Sequence, residues 1–238
     1  MILSVIIPVF NEEKTIELIL KRVTELELNY EVKIEIIIVN DFSTDKSDEL
    51  IKSFMAKNST GVPISYFKHE KNSGKGCAIR TGINQATGDL VIIQDADLEY
   101  DPSEFNTLLN PFITKDADVV YGSRFASHNE RRVLFYYHTL GNKFLTLLSN
   151  LLSDLNFTDM ETCYKMFKSS IIKNITLREN RFGFEPEVTA KIAKIKNIKI
   201  FEVGVSYNGR TYEDGKKIGW KDGFRAIYCI IKYSIFSK

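Results

Sequence analysis

Asp95 and Asp97 stand two residues apart directly behind the apolar run Leu90-Val91-Ile92-Ile93-Gln94. On an extended backbone, residues i and i+2 point the same way and lie roughly 6 to 7 Å apart. Carboxylates so placed can reach one hard cation, directly or through a water. Magnesium suits the pair, because it takes one or two protein carboxylates and fills its other positions with water and phosphate oxygens. The spacing therefore points to a metal-bound diphosphate. Acidic residues after a strand also serve as solvated loop or cap residues. Asp101-Pro102 reads that way, with Asp101 as an N-cap, Pro102 at the first helical position and Glu104 completing an approximate capping box.

Other stretches carry chemistry beside a plainer reading. Asn72-Ser73-Gly74-Lys75-Gly76 opens a helix, so backbone N–H groups and Lys75 could approach an anion there, although a simple glycine turn explains it equally. It has neither the G-x-x-x-x-G-K-[ST] nor the G-x-G-x-x-G spacing, which argues against P-loop NTPases and dinucleotide binders. Asn11 suits an N-cap of the first helix, with Glu12 and Glu13 favourable to its dipole. Ser123, Arg124, Arg210, Lys216 and Lys217 are the residues suited to gripping a phosphate, for which the planar arginine fork is well shaped. His138 and Asn142 fall four residues apart, on one helical face. Asp159 and Glu161 are available to assist an acceptor, or to act as base toward a hydroxyl.

Short β-branched runs alternate with helical periodicity through the first half, the pattern of parallel strands joined by crossover helices. Strands are expected at Leu3 to Ile7, Ile34 to Val39, Ile64 to Phe67, Leu90 to Gln94 and Asp118 to Gly122. Helical stripes run through Ile16, Ile19, Leu20 and Val23, through Ile79, Gly82, Ile83 and Ala86, and through Phe105, Leu108, Leu109 and Phe112. In such an α/β sheet ligands collect beyond the carboxyl ends of the strands. Asn11-Glu12, Asp41 to Asp45, Asp95 to Asp97 and Ser123-Arg124 all fall there. The second half reads as a long amphipathic segment from Val133 to Ser153, a loop at Thr158 to Lys165, a helix after Pro186, a strand at Lys199 to Val205 and a terminal helix from Asp222 onward. That last helix places Phe224, Ile227, Tyr228, Ile231 and Ile235 on one stripe, which either packs on the protein or contacts a membrane or membrane-bound partner.

The chain has 238 residues, 44% hydrophobic and 26% charged, enough to bury a substantial core. No repeat, low-complexity tract or Gly/Pro/Ser-rich linker divides it, so a single domain over 1–238 is expected. Its formal charge of +1 offers no basic domain for nucleic acid. Cys77, Cys163 and Cys229 are odd in number and widely spaced, which favours a reduced intracellular protein without structural zinc. The opening Met1-Ile2-Leu3-Ser4-Val5 lacks the basic start of a signal peptide and reads as a strand. No apolar stretch approaches the length of about 20 residues needed to span a bilayer.

The blocks Ser4 to Glu13, Val39 to Asp45, Asn72 to Gly76, Gln94 to Asp97 and Gly122 to Phe125 occur in the order and spacing of inverting family 2 glycosyltransferases, and the chain resembles that family. Within it the chain is similar to the branch of dolichyl-phosphate mannose synthases and related polyprenyl-phosphate hexose synthases. Asp159 to Lys165 and Gly209-Arg210 to Lys217 look similar to that branch as well. The resemblance implies an α/β fold of GT-A type, a Rossmann-like, mainly parallel sheet with helices on both faces and an amphipathic helical C-terminal portion. It implies Mg2+ or Mn2+, a nucleotide-sugar donor (GDP-mannose or UDP-glucose) and a lipid-phosphate acceptor of the dolichyl or undecaprenyl type. It also implies a cytoplasmic active site, peripheral at a membrane face. Residues 1–125 would form the nucleotide-sugar and metal half, and 126–238 the acceptor half.

Carried onto this chain, the family pattern has Pro8, Phe10 and Glu12 line the base and Asp41 reach the base or ribose, with Val39, Lys75, Asp95, Ser123 and Arg210 in the same donor-binding set. Asp95, Asp97 and Glu99 would ligate the metal, and Asp97, Arg124 and Asp159 would serve catalysis. Three departures stand out. Asn40-Asp41-Phe42 replaces the usual Asp-Asp-Gly, Glu99 stands where the branch often has Gln, and His138 and Asn142 stand near where the branch carries an Arg. Rival readings are transfer to a saccharide hydroxyl in cell-surface polysaccharide synthesis, a sugar nucleotidyltransferase, and a non-catalytic nucleotide-sugar-binding module. The nucleotidyltransferases need an N-terminal Gly-rich loop, and Pro8 to Glu13 contains no glycine.

Overall fold

The computed structural model describes residues 1–126, 133, 135–210 and 219–236, without the side chains of 220 and 221. Seven strands, β1 (Ile2–Val9), β2 (Lys33–Asn40), β3 (Ile64–Lys68), β4 (Leu90–Ile93), β5 (Val119–Ser123), β6 (Lys165–Lys168) and β7 (Ile200–Gly204), form one sheet in the order β3-β2-β1-β4-β6-β5-β7. All run in one direction except β6, which pairs antiparallel with both β4 and β5. Parallel neighbours need crossovers, and these are the helices α1 (Ile16–Thr24), α2 (Ser47–Lys57), α3 (Lys75–Gln85) and α4 (Phe105–Lys115). Helices on both faces explain why the inner strands read as continuous apolar runs. Val5, Ile6 and Ile7 of β1 and Val91 and Ile92 of β4 have no exposed surface. The stripe Ile16, Ile19, Leu20 and Val23 is fully buried under α1, and Phe105, Leu108 and Leu109 under α4. The GT-A type α/β architecture is thus present.

Helix α3 lies against β1 and β2, with Gly82 facing Ile6 of β1. A Cβ there would stand 2.4 Å from Ile6 Cγ2. Gly82→Ala is therefore expected to cost about 1–3 kcal/mol through overpacking. Urea unfolding checks this, and an unchanged midpoint would mean that α3 is not seated on the central strand.

The C-terminal portion adds α5 (Tyr136–Ser153), the short α6 (Ser169–Ile172), α7 (Phe184–Ile192) and α8 (Trp220–Ile231), which runs on into a π-helical turn at Lys232–Phe236. Several expectations change here. Residues 158–165, expected as loop, lead into the unexpected β6. Its four residues, Lys-Met-Phe-Lys, are too few to show alternation, and only its pairing with β4 and β5 reveals it. Helix α7 begins at Phe184 rather than after Pro186, because a proline in the first turn forfeits no helical hydrogen bond. On α8 the aromatic stripe faces largely outward, with Ile227 half-buried. Phe224, Tyr228 and Ile235 are 67%, 50% and 58% exposed, while Ala226, Cys229, Ile230 and Tyr233 turn inward. Helix α5 likewise leaves Phe135, Tyr136, Leu140, Phe144, Leu147 and Leu151 exposed. Among the described residues no helix is long and apolar enough to cross a membrane.

Candidate active site

The carboxyl ends of β1, β2, β4 and β5 open on one rim, beside a cavity of about 950 Å3. Pro8, Phe10, Glu12, Asp41, Lys75, Asp95, Asp97, Glu99, Arg124 and Arg210 all line it, so most of the residues singled out in the sequence meet. Three of those carried over from the family pattern do not line it. Val39 and Ser123 are fully buried, with Ser123 Oγ bonded to Thr158 Oγ1 and accepting from the amides of Phe125 and Ala126. Asp159, also fully buried, accepts hydrogen bonds from Arg124 N (3.0 Å), Nε (2.6 Å) and Nη2 (2.7 Å). Asp159 is thus placed to hold Arg124 rather than to touch a ligand. Lys216 and Lys217 lie outside the described residues.

Asp95 and Asp97 leave β4 on a turn that is braced on several sides. Gln94 Nε2 donates to Asp95 O (3.0 Å), and its own Oε1 accepts from Tyr164 OH (2.6 Å). Leu98 adopts a left-handed φ of 63° between Asp97 and Glu99, and the Glu99 amide donates to Asp97 Oδ1 at 3.1 Å. Glu99 spends its carboxylate on the 207–210 segment, accepting from Tyr207 OH (2.8 Å) and the Arg210 amide (2.6 Å). Arg210 then donates through Nε to Asp97 O (2.9 Å) and pairs with Glu12 Oε2 at 3.0 Å. Lys75 reaches Asp95 Oδ2 at 2.9 Å and Glu185 Oε1 at 3.5 Å. Burial would pull this ammonium down, but Asp95, Cys163 and Glu185 carry it well above its ordinary range.

Among the described residues no three His, Cys, Asp or Glu side chains form a ready metal cluster. The donor set nonetheless fits a divalent cation completed by phosphate oxygens. Burial, then the charges of Asp95 and Glu99, pushes the Asp97 carboxyl up to about 7. A cation between the carboxylates would relieve that repulsion.

Asp41 has a different setting from a simple base contact. Its Oδ1 accepts from the Ser73 amide (2.8 Å) and lies 2.7 Å from His69 Nδ1, while Oδ2 accepts from the Gly74 amide (2.6 Å). Two amides expected to face an anion are therefore committed to Asp41, while Asn72, Gly74 and Lys75 of that loop line the cavity. Gly74 takes φ 93°, as glycine readily does. Phe42 holds φ 64°, so the backbone keeps the left-handed form that the absent glycine would favour. Asn11 is not an N-cap. It also has a positive φ, 51°, and its Oδ1 accepts from the Thr44 amide at 2.8 Å, while α1 starts only at Ile16. Asp101 does cap, through the Ser103 amide, but Glu104 instead accepts from the Ser206 amide at 3.1 Å.

The far wall brings residues that local pattern left unmarked. Tyr137 of α5, Asp222 and Ala226 of α8, and Arg181, Glu185 and Tyr207 line the cavity, beside His138 and Asn142, whose shared helical face the sequence did show. The Arg124 guanidinium sits 5.2 Å over the Tyr207 ring. Glu161 also lines it. Burial, then the Glu185 charge, pushes the Glu161 carboxyl up to about 8.

Comparison with known proteins agrees with this architecture. Residues 4–176 match the family described as Glycosyl transferase family 2. The chain belongs to that family and is a glycosyltransferase. Dodecaprenyl-phosphate galacturonate synthase of Rhizobium johnstonii is 24% identical over 237 residues, covering 99% of this chain and 67% of that protein. Bactoprenol glucosyl transferase of Shigella phage SfX is 30% identical over 238 residues, covering 98% and 73%. Among solved structures, glucosyl-3-phosphoglycerate synthase from Mycobacterium tuberculosis, in complex with Mn2+, uridine diphosphate and phosphoglyceric acid, has a TM-score of 0.72 and 17% identity, covering 98% of this chain and 78% of that one. The last is a likeness of fold.

Proposed function

We propose that the chain transfers a hexose, with inversion, from GDP-mannose or UDP-glucose to a polyprenyl phosphate, using Mg2+ or Mn2+. The observation that carries this reading is that the Asp95/Asp97 edge and the Arg124 guanidinium line one cavity. A diphosphate grip and a phosphate grip thus face a shared space. The names of the bacterial and phage relatives, both concerned with prenyl-type carriers, support the same acceptor. So do α5 and α8, which line the cavity and expose aromatic and aliphatic side chains beyond it. A prenyl chain has apolar surface to follow there, and a membrane face or a membrane-bound partner would cover it.

Asp95 and Asp97 would hold the cation, and Glu99 would keep the 207–210 segment on the turn. Bound there, the metal supplies Lewis-acid neutralisation of the departing nucleoside diphosphate. Pro8, Phe10 and Glu12 line the base side, and Lys75 faces the diphosphate beside Asp95. Arg124, held rigid by Asp159, orients the acceptor phosphate. A phosphate monoester loses its second proton near pH 6, so its oxygen is largely anionic at neutral pH and positioning can replace a general base.

The test is a thermal-shift panel of nucleotide sugars with and without Mn2+, followed by partition of radiolabelled product. Stabilisation by a nucleotide sugar only with metal, and label extracted into organic solvent, are expected. A water-soluble, lipid-free product would remove the polyprenyl acceptor.

A further inference from the structure

Two buried acceptors in the cavity wall have no partner. Glu161 Oε1 and Glu185 Oε2 are sealed from solvent and lack any hydrogen bond among the described residues. Glu185 as a whole is only 5% exposed, at the start of α7. Leaving a buried polar atom unpaired is costly, and more so for a charged one. Such a cost persists where a ligand removes it. Neighbouring cations act on both carboxyls electrostatically but give these two oxygens no hydrogen bond. Lys165 is buried, donates to Thr162 O and lies 4.7 Å over the Tyr121 ring, while Lys75 meets Glu185 through the other oxygen.

Their position says which part of a donor they would meet. Glu185 is one side chain away from the metal edge, since Lys75 joins it to Asp95. Glu161 lies within the electrostatic reach of both Glu185 and Arg124. The pair thus shares one cavity with the diphosphate grip and the acceptor grip, through which the transferred group must pass. The terminal torsion of a glutamate is broad, so either carboxyl can turn an oxygen to a ligand at small cost.

We infer that Glu161 and Glu185 read the hydroxyls of the transferred sugar, and that they select a neutral, hydroxyl-rich hexose over a hexuronate. This rests on the glycosyl-transfer reading above. Hydroxyls hydrogen-bond to both carboxyls, whereas a uronate would bring a second negative charge beside the Glu185 carboxylate. A site built around such bonds also rejects analogues that lack the hydroxyl, because its polar groups are then left unpaired.

Calorimetric titration in Mn2+ with UDP, UDP-glucose, UDP-glucuronate, GDP, GDP-mannose and GDP-mannuronate tests this. The wild type should prefer the hexose over the hexuronate of the same nucleotide by about 100-fold, and Glu185→Gln should narrow that to below about tenfold. Glu185→Gln should leave nucleoside diphosphate affinity within about threefold of wild type, as expected of a group that meets only the sugar. Equal wild-type affinity for hexose and hexuronate would overturn the inference. So would a Glu185→Gln variant in which diphosphate and nucleotide-hexose binding fall in parallel. If Glu185→Gln does not fold, Glu161→Gln at the half-buried position decides: nucleotide-hexose binding should weaken while nucleoside diphosphate binding stays within about threefold, and unchanged hexose binding would overturn the inference. Failure of UDP and GDP themselves to bind with Mn2+ would bring down the metal–diphosphate reading, and this inference with it.

Discussion

Asp97→Ala is expected to lower kcat/KM by about a thousandfold or more, while the protein stays folded. Metal stabilisation of a departing diphosphate is worth several kcal/mol, and each 1.36 kcal/mol is a factor of ten in rate. Asp97 shares its turn with Asp95 and Glu99, and the repulsion among them, added to burial, holds its carboxyl near the neutral range. Taking away one member of that cluster removes like-charge repulsion. Among the described residues only one side-chain hydrogen bond is lost with it, from the Glu99 amide at 3.1 Å. The turn remains braced by Gln94, by Arg210 on the Asp97 carbonyl and by Tyr207 on Glu99. The metal-free melting temperature should therefore stay level or rise slightly, and the stabilisation by nucleotide sugar plus Mn2+ should disappear. A variant that turned over at the wild-type rate would place the metal elsewhere.

What could be read from the sequence follows the range of the forces involved. Periodicity and β-branching act over a few residues, so β1, α1, α3, α4 and the rim at their ends were visible, and the acidic pair after β4 with them. Long-range pairing was not visible. β6 is four residues wedged between β4 and β5, and nothing in Lys-Met-Phe-Lys announces a strand. The brace on the acidic turn joins Glu99 to Arg210, 111 residues away, and Arg210 to Glu12, 198 away. Family pattern pointed to Arg210 and Glu12 as donor contacts without indicating that they pair with each other. Asn11 looked like a cap because its residue type favours caps, but the same preference suits the left-handed turn that it occupies. Glu185 was passed over for a related reason. An acidic residue in the first turn of a helix is ordinary on a dipole argument, and only the absence of a partner for Glu185 Oε2 sets it apart.

The other large effect is expected at Asp159, and it is one of stability. Its carboxylate has no exposed surface and takes three donors from Arg124, whose own side chain is 9% exposed. Removing one partner of a buried pair leaves the other charged and desolvated, at about 3–5 kcal/mol. Asp159→Ala should unfold at correspondingly lower urea and lose turnover, since a guanidinium without its fork cannot hold its aim across the cavity. An apolar replacement of both partners separates the two roles. Arg124→Met with Asp159→Leu buries no unpaired charge, and it should regain all but about 1–3 kcal/mol, the remainder reflecting the Arg124 amide left without Asp159 Oδ2. Turnover should not return with stability if Arg124 orients the acceptor phosphate as proposed. An active double variant would show that Arg124 only props the wall, and an Asp159→Ala protein as stable as wild type would show that the guanidinium finds water or another carboxylate once released.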